Sequence, residues 1–225
     1  MSKNLRKNLQ IAIDGPAGAG KSTVARMVAH ELGMFYLDTG AMYRVISYKV
    51  LKNGILPEDE LAVTRIAQET EITFDHRDRD VVLCDGEIVT SQIRSPEVNR
   101  TVSIVAAYAG VRERLVKIQR VEAAKGNVVM DGRDIGTFVL PEADIKIFLT
   151  ASTEERAARR LQEIQATGIN MTYQQVLDDI ENRDSMDSQR QHSPLRPAED
   201  AIIIDTTTLA VDEVAEKIVS LISSS

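Results

Sequence analysis

The sequence is poor in the residues that mark several classes of protein. Its 225 residues include one cysteine, three histidines and no tryptophan, and aromatic residues make up 4%. A single cysteine cannot form an internal disulfide, and the histidines have no metal-ligand spacing, so the sequence predicts neither a disulfide scaffold nor a histidine–cysteine metal centre. Cys84 follows an apolar stretch and has no adjacent basic or histidine partner, which favours a buried structural thiol over a reactive one.

Long apolar runs are also missing. No stretch reaches the roughly 18 consecutive apolar residues that a membrane-spanning helix needs. The opening MSKNLRKNLQ is basic, but Asp14 and Gly15 interrupt the apolar residues that follow, so it does not resemble a signal peptide. We therefore expect a cytoplasmic protein that has no membrane partner.

Negative charge exceeds positive charge, with 34 acidic against 27 basic residues and a formal net charge of −7. This balance argues against a broad nucleic-acid-binding face, which needs a basic surface to replace counterions. Hydrophobic residues at 43% and charged residues at 27% are typical of a compact globular protein. Any anionic ligand must therefore be held by a local cluster of arginines.

Short apolar runs alternate with helical patterns. Buried strands are predicted at residues 9–13, 34–37, 128–130, 145–149 and 201–204. A helix is predicted at 22–32, ended by Gly33, and the last helix covers about 211–222. This alternation predicts an α/β fold with a parallel sheet flanked by helices.

Two connections, residues 39–127 and 150–200, are too long for simple crossovers and must carry structure of their own. In the first, β-rich runs at 72–74, 81–83 and 87–90 around the Asp85-Gly86 turn signal predict a small antiparallel sheet, and Ser95-Pro96 then opens a helix. In the second, the pairs Ser152 with Glu155 and Thr172 with Gln175 predict two helix starts, with Gly168 between the helices.

The strongest motif is the glycine-rich sequence G-x-x-x-x-G-K-[ST] at residues 15–22, between a predicted strand and a predicted helix. Its glycines let backbone amides turn inward around phosphate oxygens, and the helix N-terminus adds positive potential. Lys21 would reach the β and γ phosphates, and Ser22 could ligate magnesium. The alternative is a glycine-rich turn that only caps a helix. The predicted nucleotide-contacting residues here are Gly15, Pro16, Ala17, Gly18, Ala19, Gly20, Lys21, Ser22 and Thr23.

Charged residues follow the predicted strands at their carboxyl ends, where open α/β sheets bind ligands. Asp131 lies where a second carboxylate could join a magnesium shell, directly or through water, although an aspartate before Gly132 also suits a turn. Arg133 and Asp134 come next and could face a ligand or form a surface ion pair. Arg44, after the second strand, would face the same crevice.

Arginines also occur in the second long connection. If residues around Arg183 are helical, Arg183, Asp187 and Arg190 share one face before Ser193-Pro194 ends the helix, either as a ligand site or as a solvated charged face. Arg159 is equally consistent with contacting a ligand and with a purely structural ladder formed by Glu155, Arg159 and Glu163.

These residues together resemble the bacterial-type cytidylate kinases of the nucleoside monophosphate kinase superfamily, over nearly the whole chain. The glycine-rich loop alone specifies a superfamily, whereas the other strings are much narrower. The matching strings are IDGPAGAGKST from Ile13, LDTGAMYR from Leu37, SIVAAYAGVRERL from Ser103, MDGRDIGT from Met130, IFLTASTEERAARR from Ile147 and ENRDSMDSQR from Glu181.

The resemblance implies a fold and a domain division. It implies a P-loop kinase core with a five-stranded parallel sheet, covering residues 1–64, 111–152 and 198–225. A monophosphate-binding domain with a small antiparallel sheet would be inserted at 65–110, and a helical lid with its hinge would cover 153–197. The lid string DSMDSQ at 184–189 lacks the basic residues that several relatives carry, which leaves Arg159, with Arg156 as a second candidate, to meet ATP.

The resemblance also implies residue roles. Arg44, Arg133 and Arg190 would hold the monophosphate and, with Lys21, act in catalysis. The remaining acceptor-site residues would be Thr39 and Tyr43 lining the site, Ser103, Arg112 and Asp134 reading cytosine, and Arg183 and Asp187 contacting the sugar. A carboxylate beside an arginine complements the N4 donor and the N3 and O2 acceptors of cytosine.

The implied reaction is magnesium-dependent transfer from ATP to CMP or dCMP, carried out by a monomer that binds no nucleic acid. One alternative keeps the fold and changes the acceptor to UMP, another monophosphate or a small hydroxylated metabolite. A second alternative is a GTPase-like switch, but the [NT]-K-x-D string that reads guanine does not occur in the sequence.

Overall fold

The computed structural model describes residues 8–74, 81–166 and 168–223. Strands in these ranges are β1 (Gln10–Asp14), β2 (Phe35–Asp38), β3 (Ile72–Phe74), β4 (Val82–Cys84), β5 (Glu87–Ile88), β6 (Val128–Gly132), β7 (Ile145–Thr150) and β8 (Ile202–Asp205). Helices are α1 (Lys21–Glu31), α2 (Thr39–Lys52), α3 (Glu60–Glu69), α4 (Pro96–Ala107), α5 (Ala109–Ala123), α6 (Thr153–Ala166), α7 (Tyr173–Gln189) and α8 (Val211–Ser223). A 3-10 turn covers Gln92–Arg94, and a wide π-helical turn covers Ile135–Val139.

Five strands form one parallel sheet in the order β2-β6-β1-β7-β8. The central strand β1 pairs on both sides, with Ile11 opposite Val129 of β6 and Ile145 of β7. Because helices cover both faces of such a sheet, its inner strands are apolar on both sides, which is why the apolar runs in the sequence coincide with strands. The predicted parallel α/β sheet is confirmed.

The sheet is packed between two apolar layers. On one face, Val28 of α1 and Ile218 of α8 lie in a core with Ile13 and Leu149. The other face is covered by a cluster that includes Val116 of α5 together with Leu37, Met130 and Ile135. All five strands run in the same direction, so their carboxyl ends lie at one edge of the sheet, where the charged side chains collect.

The first long connection contains the small sheet that the sequence predicts. Strands β3, β4 and β5 are antiparallel, and the turn between the last two has positive φ at Asp85 (51°) and Gly86 (82°), as an Asp-Gly hairpin turn requires. A core separate from the main sheet joins these strands to α2, α3, α4 and α5. Cys84 is buried there, and burial, followed by the charge of Asp85, raises the pKa of its thiol to about 11, in agreement with a structural thiol.

The second long connection forms the helices α6 and α7. Thr172 and Gln175 make the predicted capping box at the start of α7, and Ala157, Val176 and Ile180 form a small core between the two helices. The prediction that Arg190 lies on the face of this helix is wrong. The helix ends at Gln189, and Arg190 follows it in extended conformation, where its Nε donates to the carbonyl of Ser193.

Within the described ranges, no helix combines the length and the apolar composition that crossing a membrane requires.

Gly15 offers a test of the tight junction between β1 and α1. A Cβ atom at this position, where φ is 148°, would lie 2.0 Å from the carbonyl oxygen of Leu149. We expect Gly15→Ala to lower the free energy of unfolding by about 3 kcal/mol or more, through both backbone strain and overlap. Gly33→Ala is the matched control, because its φ of 65° is strained but a Cβ meets nothing within 4 Å, so about 1 kcal/mol is expected. Equal losses in urea unfolding would contradict this account.

Candidate active site

The glycine-rich loop connects β1 to α1, and the side chain of its lysine, Lys21, contacts the backbone of the loop. Gly18 and Gly20 have positive φ, 76° and 83°, and Gly20 precedes the first residue of the helix. The Lys21 ammonium donates to the carbonyl of Pro16 at 2.7 Å. Burial, and then the positive charge of Arg133, lower the pKa of Lys21 well below its ordinary value. A buried cation beside a second cation favours binding of an anion.

Arg156 of α6 fixes this loop from the side. Its guanidinium, which is 5% exposed, donates to the carbonyl of Ala17 at 3.0 Å and to the carboxylate of Asp184 at 2.6 Å. A Cβ atom at Gly18 would lie 3.0 Å from the backbone oxygen of Arg156, so only a glycine allows this close approach. The loop is thereby tied to both α6 and α7.

Asp131, at the end of β6, faces the start of α1. Its carboxylate accepts hydrogen bonds from the hydroxyls of Ser22 and Tyr36, each at 2.8 Å, and Thr39 donates to its backbone oxygen at 2.7 Å. Burial, followed by the charge of Asp38, raises the pKa of Asp131 to about 6. Folding therefore places a partly desolvated carboxylate next to the serine of the loop.

The donors at this point suit a hard divalent cation. Mg²⁺ prefers oxygen ligands, keeps several waters and is commonly bound by one or two protein oxygens together with substrate phosphates. Ser22 and Asp131 supply two such oxygens, and a cation there would favour the charged form that burial disfavours. Among the described residues there is no group of three or more His, Cys, Asp or Glu side chains suited to a metal ion.

A second buried cluster lies around Asp134. Asp134 is paired with Arg112, and the guanidinium of Arg190 lies 3.6 Å from its other oxygen; all three side chains are 6% exposed or less. The Arg112 guanidinium lies 5.6 Å from the centre of the Tyr43 ring and also donates to the carbonyl of Ala106 at 3.3 Å. Two arginines against one carboxylate leave the cluster with excess positive charge.

A third group connects this cluster to the loop. Arg133 donates to Asp187 of α7 at 2.7 Å. Burial alone would raise the pKa of Asp187, but the charge and hydrogen bond of Arg133 outweigh it, so the pKa lies below its ordinary value. At Arg183 the balance is the reverse: burial, then the charges of Arg133 and Arg44, lower its pKa to about 10, although the charge of Asp187 acts in the opposite direction.

Several guanidinium groups retain unused donors. Arg112 Nε, Arg183 Nε and Arg190 Nη2 are buried and have no hydrogen-bond partner among the described residues. Burial, followed by the charge of Arg112, also lowers the pKa of Arg190. Buried donors without partners cost free energy, and an anion with several oxygens would satisfy them.

The remaining predicted residues are placed as follows. Thr23 is exposed in the first turn of α1, and Ser103 is half-buried on α4, one turn before the Ala106 carbonyl that Arg112 contacts. The three side-chain nitrogens of Arg159 donate to Glu155, to Thr206 and to the Thr207 carbonyl. The Thr206 hydroxyl lies 3.5 Å from the carbonyl oxygen of Ala19 in the loop. Of the predicted ladder, the pair of Glu155 and Arg159 forms, but Glu163 pairs with Arg160 instead. The contact of Arg159 with ATP stays a prediction.

The sequence interpretation did not select Asp14 as a site residue. Its carboxylate is 5% exposed and accepts the backbone N–H groups of Ile135 at 2.8 Å and Gly136 at 2.7 Å. Burial raises the pKa of Asp14 to about 6. The signal that could have identified it is an aspartate at the carboxyl end of a buried strand, directly before the glycine-rich loop.

A phosphate-binding loop leading from the central strand of a parallel sheet into a helix, with buried arginines beside it, defines a P-loop kinase. Solved structures share this fold at low sequence identity. One is an uncharacterized protein from Eubacterium ventriosum (TM-score 0.53, 14% identity, 96% of this chain and 99% of that chain). Another is a gluconokinase from Sinorhizobium meliloti (TM-score 0.50, 14% identity, 96% and 93%).

Sequence comparison gives the family. The family model described as cytidylate kinase matches residues 11–224. Curated cytidylate kinases from Desulfitobacterium hafniense (58% identity, 96% of this chain and 94% of the relative) and Caldicellulosiruptor bescii (51% identity, 96% of each chain) are similar along nearly their whole length. The chain belongs to the cytidylate kinase family and is a nucleoside monophosphate kinase, as the resemblance in the sequence implied.

The raised pKa of Asp131 predicts a pH-dependent cost of keeping its charge. The pKa of Asp131 is about 6 in the folded protein against an ordinary 3.8, so protonation of this carboxyl group favours the folded state. This stabilisation is fully present below about pH 4 and is lost as the pH rises through about 6. An asparagine at position 131 has no charge to lose or gain and therefore avoids this pH-dependent loss. The hydroxyls of Ser22 and Tyr36 can still bond to it, because a hydroxyl can accept a hydrogen bond from the asparagine amide as well as donate one. We expect the free energy of unfolding of Asp131→Asn, relative to wild type, to rise by about 2 to 3 kcal/mol from pH 4 to pH 7.5.

Urea unfolding of both proteins without nucleotide measures this difference. Replacement of the exposed Asp178 by asparagine controls for the loss of one surface carboxylate. A difference that does not change with pH would contradict the assignment.

Proposed function

We propose that the chain transfers the γ-phosphoryl group of ATP directly and in line to the phosphate of CMP or dCMP, giving ADP and CDP or dCDP. The observation that carries this proposal is the group of buried arginine N–H donors, on Arg112, Arg183 and Arg190, that have no hydrogen-bond partner among the described residues. Such donors suit the binding of a phosphate group that must lie beside a second phosphate group, because they offset the repulsion between the two phosphates. Family membership supports the choice of acceptor.

On the donor side, we propose that residues 15–23 bind the phosphates of ATP. The backbone amides of the loop and the amino end of α1 supply positive potential, and Lys21 supplies a full charge. Ser22 and Asp131 would hold Mg²⁺, with Asp131 acting directly or through water. The metal would bridge donor phosphate oxygens and neutralise charge that develops during transfer.

On the acceptor side, Arg44, Arg133 and Arg190 would hold the monophosphate. Electrostatics support this proposal for two of them: after burial, the charge of Arg133 contributes to the lowered pKa of Lys21, and those of Arg133 and Arg44 contribute to the lowered pKa of Arg183. Arg190 lies 3.6 Å from Asp134, next to the proposed base site. Arg183 and Asp187 of α7 would contact the sugar.

The base would be read at the Asp134 cluster. Cytosine presents an amino donor beside two acceptors, which matches the carboxylate of Asp134 and the donors of Arg112, with Ser103 as a further polar group. Tyr43, packed under Arg112, and Thr39 would line the site. Uracil would turn a carbonyl oxygen toward Asp134, and the resulting unpaired carboxylate would disfavour UMP.

No general base is needed for this reaction. The second pKa of a phosphate monoester is near 6, so at neutral pH the acceptor oxygen is already anionic. The tasks left to the protein are alignment of the two phosphates, neutralisation of their charge by Lys21 and the arginines, and exclusion of water. Water must be excluded because it would otherwise accept the phosphoryl group.

We also propose a division of labour between regions. Residues 65–110, with the small antiparallel sheet and α4, would close over the monophosphate, and 153–197 would form the lid. The apolar cluster between α6 and α7 supports a lid that moves as one piece. The parts 1–64, 111–152 and 198–225 would form the core.

Because one chain supplies every proposed contact, we expect the protein to be a monomer. We expect it to lie in the cytoplasm with its substrates, and its net negative charge disfavours nucleic acid as a partner.

A coupled assay of ADP formation tests the function. With Mg-ATP, we expect turnover with CMP and dCMP at least tenfold above that with UMP, consistent with the discrimination a dedicated polar site provides. AMP, shikimate and no acceptor serve as controls, and addition of a chelator should abolish turnover. Activity with another acceptor and none with CMP would keep the kinase class and overturn the assigned acceptor.

Asp134→Asn tests the base-reading assignment. The substitution removes the carboxylate that accepts from the cytosine amino group, so we expect the ratio of kcat/KM for CMP to that for UMP to fall about tenfold or more. Asp200→Asn, at an exposed ion pair with Lys146, is the control. Because Asp134 also pairs with Arg112 and Arg190, thermal unfolding must be measured alongside. Lower activity with an unchanged ratio would remove Asp134 from base recognition.

Arg190→Ala tests the phosphate clamp. If Arg190 contacts the transferring group, kcat falls about 100-fold or more while the KM for ATP changes less. Gln189→Ala, exposed at the last position of α7, provides the control. A kcat equal to that of wild type would place Arg190 outside the reaction centre.

A further inference from the structure

Asp14 connects the two halves of the candidate site. It is the last residue of β1 and directly precedes Gly15 of the loop. Each oxygen of its carboxylate accepts one backbone N–H, from Ile135 at 2.8 Å and from Gly136 at 2.7 Å. These two amides immediately follow Asp134 in the chain. One side chain therefore links the donor loop to the segment that carries the proposed acceptor contacts.

The segment that Asp14 contacts is closely packed. Ile135 and Gly136 open the π-helical turn, and the first N–H groups of a helical turn have no partner within it. A Cβ atom at Gly136 would lie 3.2 Å from Lys146 Cδ and 3.5 Å from the Asp14 carboxylate, and one at Gly132 would lie 2.7 Å from the Ile135 side chain. Without the carboxylate of Asp14, two buried amides would lose their acceptor.

The charge of Asp14 is costly where it lies. Burial raises its pKa to about 6, the two backbone hydrogen bonds act in the opposite direction, and the nearby Asp134 charge raises it further. Asparagine would avoid burying a charge, but only its oxygen can accept, so it can serve only one of the two amides. The carboxylate is the side chain that satisfies both.

We propose that Asp14 is a positioning residue for the acceptor nucleotide. Its carboxylate fixes the backbone after Asp134, and thereby sets Arg133 and Asp134 at a defined distance from the loop that holds the donor. The proposal rests on the function proposed above, since it assigns Arg133 and Asp134 to the acceptor. Asp14 itself is not expected to touch either substrate.

A merely structural role makes a different prediction. If Asp14 only joins the sheet to the turn, its replacement should weaken stability and should affect both nucleotides alike. If it positions the acceptor segment, acceptor binding and base discrimination should suffer while donor binding is kept. Separate titrations with each nucleotide distinguish the two cases, because ATP and CMP would be held by different residues.

The experiment compares Asp14→Asn with wild type by calorimetric titration of CMP, UMP and Mg-ATP. We expect the Kd for CMP to rise about tenfold or more, the preference for CMP over UMP to fall, and the Kd for Mg-ATP to stay within about threefold. Hydrogen exchange at the Ile135 and Gly136 amides should accelerate. Asp144→Asn is the matched control, because Asp144 accepts the Gln10 backbone N–H at 2.9 Å at the opposite end of the same strand.

Equal losses for CMP and Mg-ATP, or no change for CMP, would overturn the proposal. If Asp14→Asn does not fold, Asp14→Glu decides the question, because the added methylene group moves the carboxylate relative to the Ile135 and Gly136 amides without removing a charge. Selective loss of CMP affinity in that variant supports the proposal, and a uniform loss or none overturns it. If wild type binds another monophosphate in place of CMP, the proposed acceptor is wrong, and the same comparison with that ligand still tests Asp14.

Discussion

The structure depends on keeping several arginines close together at the carboxyl edge of the sheet, in a chain whose net charge is −7. Asp134 and Asp187 neutralise part of this charge, through Arg112 and Arg133. Arg183 keeps a pKa lowered by burial and then by its cationic neighbours, and it keeps a buried Nε without a partner among the described residues. Such an arrangement is unfavourable alone, and the anion that we propose to bind here would offset part of that cost.

The fold makes this arrangement possible. Parallel pairing brings the ends of β1, β2 and β6 to one edge, so that residues distant in the chain become neighbours, as Ser22 and Asp131 are. The glycine-rich loop and the π-helical turn both begin where these strands end. Arg156 holds the glycine-rich loop to Asp184 of α7, so the proposed lid and the proposed donor site are in direct contact. Binding of the donor would thereby be connected to the position of α7 through one side chain.

Much of the fold could be predicted because its signals are local. The five strands of the main sheet are short apolar runs, the Asp85-Gly86 turn and the capping box at Thr172 depend on residues within a few positions, and the glycine-rich loop occurs between a strand and a helix. The end of α7 was misplaced because Arg190 turns away through contacts with Ser193, which periodicity does not reveal.

Among the site residues, too, those with a local sequence signal could be predicted and those placed by distant contacts could not. Motifs selected most of the residues that the structure brings together, among them Lys21, Asp131, Arg133 and Asp134. The surroundings of Arg159 could not be predicted, since its partner Thr206 lies 47 positions away. Nothing in the local pattern favours a structural ion-pair ladder over contact with a ligand. Asp14 was overlooked for a similar reason: its hydrogen-bond donors at Ile135 and Gly136 are more than 120 positions away and are backbone amides, which carry no sequence signal.

The central claim is that the arginine cluster is built for the phosphate of a cytosine nucleotide. Calorimetric titration of the free protein with CMP and with cytidine, at low and at moderate salt, tests it most directly. The account predicts that CMP binds at least about 100-fold more tightly than cytidine and that moderate salt leaves most of this difference, because buried guanidinium–phosphate contacts supply it and are screened much less than exposed ones. Equal affinities for CMP and cytidine would contradict the claim.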